Sequence, residues 1–313
     1  MRKFLLKIGL FIFFLLVVDQ TVGAYLDRIP KLIQKGGVGR ENFISNHVED
    51  SILIFGSSRA WSHYNAQMIT DSLGYTCYNC GEGGRDIINS YAKLKLVMER
   101  YEPKLVIYEL TPFLDMLQGE ADTHSLFLLK PFYERNGIDS IFWDIDPYEK
   151  YKMMSYLYRS NSKFLRNSFV YFTDRNTDPG VRGCSPSKTP FDSTKVQKDI
   201  NKMYDSSVGY EYDIVKINYL RRFIEKAGKL NLLIVVSPLW YGQDSKVLEP
   251  VVEICRKKKV RLIDYSNDYR FVHNNDFFSD GLHLNAQGAD EFTKILINDL
   301  KMLENKRGEL LFE

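Results

Sequence analysis

From Ser51 onward, short apolar runs of strand length alternate with longer segments of helical period, and this order constrains the fold more than any other feature of the chain. Continuous apolar strands separated by helices belong to parallel sheets covered on both faces. Ser51–Phe55, Tyr75–Asn79, Leu105–Tyr108, Leu230–Val236 and Val260–Asp264 read as five strands. Helices are expected over Arg59–Leu73, from Asp86 to just before Pro103, over Asp213–Ala227 and Ser245–Lys258, and from Asn285 to Leu303. Asp86 suits an N-cap, and Pro103 ends the helix that precedes it. The expected class is α/β, a three-layer doubly wound parallel sheet.

The alternation stops after the third strand. Residues 112–209 are rich in aromatic, Asn, Asp and Ser residues, with helical pieces around Tyr148–Leu165 and loop composition over Asp174–Asp192, and read as a long insertion. Trp143, Tyr148, Tyr151, Tyr156 and Tyr158 within it fit a core helix better than a sugar-stacking wall. The expected organisation is an anchor or signal segment over 1–27, a linker over 28–50, an α/β domain over 51–303 with its insertion at 112–209, and a mobile tail over 304–313.

Arg2, Lys3 and Lys7 precede the apolar run Ile8–Val18, which resumes after Asp19-Gln20 through Leu26. That is long enough to span a bilayer, and the leading positive charges place the N-terminus in the cytoplasm and the rest outside. A retained anchor is favoured over a cleaved signal peptide, for which Val22-Gly23-Ala24 supplies small residues. A net charge of +2 with interspersed signs gives no basic face for nucleic acid. Cys77 and Cys80 form a lone Cys-x-x-Cys, without the second ligand pair a zinc site needs, so buried thiols or a local disulfide are expected and no metal.

Three motifs carry chemistry. Gly56-Ser57-Ser58-Arg59 lies between the first strand and a helix, where a Ser can attack while amides at a helix N-terminus favour developing negative charge; a simple N-cap is the alternative. Asn79-Cys80-Gly81-Glu82-Gly83-Gly84-Arg85 follows the second strand and lets backbone approach a ligand. Ser279-Asp280-Gly281-Leu282-His283 precedes the last helix. A Ser hydroxyl needs an imidazole to accept its proton, and the imidazole needs a carboxylate to fix its tautomer. His47, His63, His124 and His273 have no comparable carboxylate setting and default to surface or packing roles.

In order and placement these blocks resemble the SGNH (GDSL-like) hydrolase superfamily of esterases and acyltransferases, from Ser51 to about Leu303 outside the insertion. The resemblance implies a flavodoxin-like SGNH fold, Ser58 as nucleophile, Asp280 and His283 as its partners, and an oxyanion hole formed by the Ser58 and Gly84 amides, with no cofactor. Ser57 stands where the family has Asp. Thr111-Pro112-Phe113-Leu114 stands where it has Gly-x-Asn-Asp, so an oxyanion donor is missing unless Arg59, Arg85 or the insertion replaces it. These departures resemble the membrane-anchored branches that modify cell-envelope polysaccharides. The expected function is an extracytoplasmic esterase or O-acyltransferase on acyl, chiefly acetyl, esters of such glycans. Its partners would be the acylated glycan, the membrane and proteins of envelope polysaccharide biosynthesis. The alternative is a catalytically silent envelope protein that binds glycan or scaffolds that biosynthesis.

Overall fold

The computed structural model describes residues 1–117, 123–135, 137–160, 168–169, 171, 181–194, 196 and 210–307. Two compact units emerge: Met1–His47 with Asp122–Asp178, and Val48–Ala121 with Pro179–Glu313. The expected insertion is thus divided, residues 122–178 clustering with the N-terminal segment and the stretches on either side of them with the sheet.

The second unit is built on five parallel strands, β1 (Ile52–Gly56), β2 (Cys77–Asn79), β3 (Leu105–Glu109), β4 (Asn231–Val236) and β5 (Arg261–Asp264), in the order β2-β1-β3-β4-β5. This is the doubly wound order in which the chain reverses direction across the sheet between β1 and β3, and the crevice outside their carboxyl ends is where such sheets place ligands. β1 and β3 are buried along their whole length, which is why they read as unbroken apolar runs. Alternate residues face opposite layers. Ile52, Ile54, Ile107 and Val235 join a cluster with Phe292, Leu296 and Leu300 of the last helix, while Phe55 and Tyr108 pack on Phe223 at centroid distances of 5.9 and 4.7 Å.

The sheet unit's principal helices are Ser58–His63, Ala66–Leu73, Ile87–Val97, Pro112–Asp115, Ile214–Ala227, Glu249–Lys258 and Ala286–Arg307. The single helix expected over Arg59–Leu73 is two. Tyr64 is extended, and Asn65 restarts the helix by accepting from the Met68 amide at 3.0 Å, a local side-chain bond that competes with helix continuation. The expected Ser245 start is a 3₁₀ turn, Ser245–Leu248, leading into Glu249–Lys258. The last helix runs on to Arg307; the remainder of the expected tail lies outside the described residues. All four cysteines are buried free thiols.

The first unit is helical. Arg2–Val18 continues through a π-helical turn, Asp19–Gly23, into Ala24–Leu32, and Gly36–Asn46 follows. The segment expected as a linker over 28–50 is therefore largely helix with buried polar anchors: Asn42 donates to the carbonyls of Pro30 and Ile33 at 2.7 and 2.8 Å. In its later part the unit holds a 3₁₀ segment, Thr123–Phe132, and the helices Ile138–Ile145, Glu149–Lys152 and Tyr156–Ser160. Tyr148 and Tyr151 are 71% and 67% exposed, so the core role expected for them does not hold. The helical period around them breaks at Asp146 and again between Met153 and Ser155, so the stretch is not one continuous amphipathic helix. The end of the helical stretch expected there, residues 161–165, lies outside the described residues.

Candidate active site

Ser57 and Ser58 follow directly on β1. Gly56, the last strand residue, has φ +141°, and a Cβ there would lie 2.5 Å from the Glu109 carbonyl oxygen, so the turn into the helix requires glycine. Ser57 is the N-cap of Ser58–His63; its Oγ accepts weakly from the Arg59 amide at 3.4 Å and meets Thr111 Oγ1 at 2.7 Å. Ser57 and Thr111 thus join the carboxyl ends of β1 and β3, where the resemblance would have Asp and the Asn block. Ser58, the first helical residue, is free of capping duty.

Ser58 Oγ lies 2.8 Å from His283 Nε2, and His283 Nδ1 lies 3.0 Å from both carboxylate oxygens of Asp280. An acceptor-only carboxylate on Nδ1 places the ring proton there and leaves the Nε2 lone pair toward the serine, the tautomer a general base requires. Asp280 Oδ1 also accepts from the amides of Leu282 and His283 at 2.9 and 2.8 Å. Burial pushes the Asp280 carboxyl up, but its bonds and charge interaction with His283 and these amides outweigh burial and hold it below the usual carboxylate range. It therefore remains an anion behind the imidazole. The loop is pinned by a bridge between Phe278 and Leu284 and by the Ser279 amide donating to the His283 carbonyl at 2.9 Å.

The glycine loop after β2 runs beside the nucleophile. The amides of Cys80 and Glu82 donate to the carbonyls of Ile54 and Gly56, so the loop continues the β1 pairing up to the serine turn. A Cβ on Gly83 would sit 4.0 Å from Ser58 Cβ. Gly84 takes the left-handed φ of +67° with nothing within 4 Å of its Cβ position, so it faces open space. Among the described residues no three His, Cys, Asp or Glu side chains converge as a metal site would need.

Beneath the triad lies a buried polar network. Arg59 is fully buried, 3.3 Å from Glu109 Oε1, and donates to the Ser237 carbonyl and, at 2.9 Å, to Ser237 Oγ. It is therefore committed to the interior, and the oxyanion role considered for it does not hold. Ser237 Oγ donates to Glu109 Oε1 at 2.7 Å and meets His63 Nδ1 at 2.7 Å, and Tyr64 OH donates to Glu109 Oε2. His63 Nε2 accepts from the Leu284 amide at 3.1 Å, so its proton sits on Nδ1 and points to Ser237. Burial first, then the Arg59 and His283 charges, hold His63 well below the usual histidine range and therefore neutral. This histidine, buried 6.3 Å edge-on from the His283 ring, ties the His283 loop to β3 and β4. Its partners lie 174 and 221 residues away, so no spacing in the sequence marks it.

Part of the insertion borders the same loops. The Ser185 amide donates to the Trp61 carbonyl at 3.0 Å, the Asp192 amide to the Ser279 carbonyl at 3.1 Å, and Ser187 bridges Asn285. Phe191 stacks at 5.4 Å on Trp240, whose amide reaches the Gly281 carbonyl at 3.4 Å.

Asp115 secures the turn that replaces the Asn block, its Oδ2 accepting from the Thr111 amide at 2.7 Å. Burial, reinforced by the Asp86 charge, pushes its carboxyl up to about 8. The folded protein therefore holds a proton here that the unfolded chain has released above about pH 4. Because the folded state binds more protons between about pH 4 and 8, stability falls as pH rises across that window, by up to about 1.4 kcal/mol per pH unit for one proton. Asp115→Asn removes this contribution. Denaturant unfolding of both proteins at pH 5 and pH 8 is expected to show a smaller loss for the variant, and equal losses would mean that Asp115 is not the proton holder.

The order of the sheet and the Ser58–His283–Asp280 series beside the carboxyl ends of its strands define the class: an α/β protein with a doubly wound parallel sheet and a Ser-His-Asp hydrogen-bond series. Among solved structures, the chain is similar to a lipase/acylhydrolase from Enterococcus faecalis (11% identity, 80% of this chain and 94% of that one, TM-score 0.40). It is also similar to a GDSL-like lipase from Bacteroides thetaiotaomicron (10%, 79% and 87%, 0.36) and to an acetyl xylan esterase from the rumen bacterium Butyrivibrio proteoclasticus (11%, 82% and 64%, 0.36). No family model matches the chain, and no curated protein does. The chemistry of the site is carried by its own geometry.

Proposed function

We propose that this protein is a serine esterase or O-acyltransferase that acts on acyl esters of cell-envelope polysaccharide, acetyl esters foremost, from the outer side of the membrane to which its N-terminal helix anchors it. The contact that carries the proposal is Ser58 Oγ at 2.8 Å from an imidazole whose other nitrogen faces Asp280. Ser58 Oγ attacks the ester carbonyl carbon as its proton passes to His283 Nε2, and Asp280 stabilises the imidazolium. The Ser58 and Gly84 amides are the assigned oxyanion donors. Collapse breaks the bond to the sugar oxygen, which leaves with the proton from His283, and acyl-Ser58 remains. Water or a second sugar hydroxyl, deprotonated by His283, then attacks that ester and frees Ser58. The first outcome is hydrolysis, the second transfer, and the triad serves both equally.

The test incubates the full-length protein in detergent with an acetylated oligosaccharide and an unacetylated acceptor, with mass spectrometry following free acetate and acetylated acceptor. Acetate alone identifies an esterase, and acetylated acceptor a transferase. If folded protein produces neither and also resists a serine-directed fluorophosphonate, the enzyme proposal fails, and the Asn missing at Thr111-Pro112-Phe113-Leu114 then favours a silent glycan binder.

A further inference from the structure

The helix Arg2–Val18 is exposed along almost all of its length, and its last turn leads into Asp19, whose carboxylate is occupied by a second helix. Asp19 accepts from Ser155 Oγ at 2.6 Å and from the amides of Tyr156 and Leu157 at 3.3 and 3.0 Å. Those amides open the helix Tyr156–Ser160, so Asp19 serves as its capping acceptor from across the fold. Four residues on, Gly23 is buried so closely against this helix that a Cβ would lie 2.8 Å from the Leu157 amide nitrogen and the Tyr156 Cβ. The small residues that could suit a signal peptidase, Val22-Gly23-Ala24, are thus helical and built into a packed contact within their own unit.

Several apolar and aromatic residues leading into this contact are exposed. Tyr148, Tyr151 and Met154 are about 70% exposed, and Leu157, within the Asp19 contact itself, is 37% exposed. On the anchor side, Val22 and Tyr25 are 48% and 61% exposed. Lys150 and Lys152 are interspersed among them.

Bilayer dimensions identify what covers this surface. The 17 residues Arg2–Val18 span about 25 Å at the helical rise, short of the ~30 Å hydrocarbon layer. The apolar boundary therefore falls within Asp19–Leu26, the stretch on which Ser155–Leu157 is held. Tyr rings with an apolar body and a polar tip, together with Lys, are the residues that settle at a lipid headgroup boundary.

We propose that Tyr148, Tyr151, Met154 and Leu157 form a membrane-interface shelf that rests on the headgroup and upper acyl region of the same bilayer the N-terminal helix crosses, with Asp19 as the bracket between shelf and anchor. The proposal rests on the anchor assignment made above and adds a second, peripheral contact with lipid.

The test uses the full chain reconstituted in vesicles of phosphatidylcholine and phosphatidylglycerol, with a nitroxide attached at one of three introduced cysteines, the native cysteines being buried. Phe11→Cys reports the anchor, Met154→Cys the shelf, and Tyr269→Cys, 87% exposed in the sheet unit, the aqueous phase. Collision broadening by oxygen, which concentrates in lipid, is compared with broadening by a water-soluble nickel chelate. Oxygen is expected to dominate at positions 11 and 154, and nickel at 269. Nickel dominance at 154 with oxygen dominance at 11 overturns the shelf and leaves the anchor standing. Nickel dominance at 11 overturns the anchor and the shelf with it.

Discussion

Ser58→Ala is expected to abolish fluorophosphonate labelling and to lower ester cleavage by about four to six orders of magnitude, with His283→Ala matching it and the double variant adding little. The serine hydroxyl becomes a nucleophile only as His283 removes its proton, so each residue is worth nothing without the other and their losses do not add. Asp280→Asn is expected to lower turnover by about four orders of magnitude. An amide can donate to Nδ1, which leaves the ring proton on Nε2 facing Ser58, where a lone pair is needed. The measurements are labelling stoichiometry and initial rates on a soluble acetyl ester, with circular dichroism to verify folding. A Ser58→Ala protein that still labels, or that keeps more than about a hundredth of wild-type activity, would sink the assignment of the nucleophile.

The second large effect is structural. Glu109 is completely buried at the end of β3, where it receives Arg59, Tyr64, the Ser237 hydroxyl and the Ser237 amide. Glu109→Ala leaves the Arg59 guanidinium buried without its counter-charge, a change that costs about 3–5 kcal/mol when one partner of a buried pair is removed. The double variant Arg59→Met, Glu109→Leu removes both charges and is expected to cost less than the sum of the two single changes. Urea unfolding in detergent, read by the fluorescence of the tryptophans, is applied to Glu109→Ala and to the cycle of wild type, Arg59→Met, Glu109→Leu and the double variant. A Glu109→Ala loss under about 1 kcal/mol would show that the charge is not held as the geometry implies. Arg59 directly follows Ser58 and His63 shares Ser237 with the pair, so the same variant is expected to slow catalysis even where it remains folded.

Much of the site was legible because it is local. Asp280 and His283 are three residues apart on one loop, Ser57 and Ser58 follow a strand directly, and Asp86 accepts from the Ile88 and Asn89 amides as an N-cap should. The strands declared themselves through unbroken burial, a requirement of any strand covered on both faces. The helical pieces read around Tyr148–Leu165 did not amount to one core helix, because the insertion's described helices are only four to ten residues long.

The order of apolar and helical segments was by itself enough to determine the α/β class, the five strands and the loops on which Ser58, Gly84, Asp280 and His283 sit, since each of these depends on neighbours a few residues away. Only the tertiary structure decided that Arg59 is an interior cation rather than an oxyanion donor, that His63 supports the His283 loop, and that residues 28–50 pack as helix. Each of these rests on partners far off in the sequence, as when Glu109 at the end of one strand and Ser237, 128 residues on and just past the end of the next, meet. Burial sets the charge state and role of such groups, and burial is a property of the assembled fold.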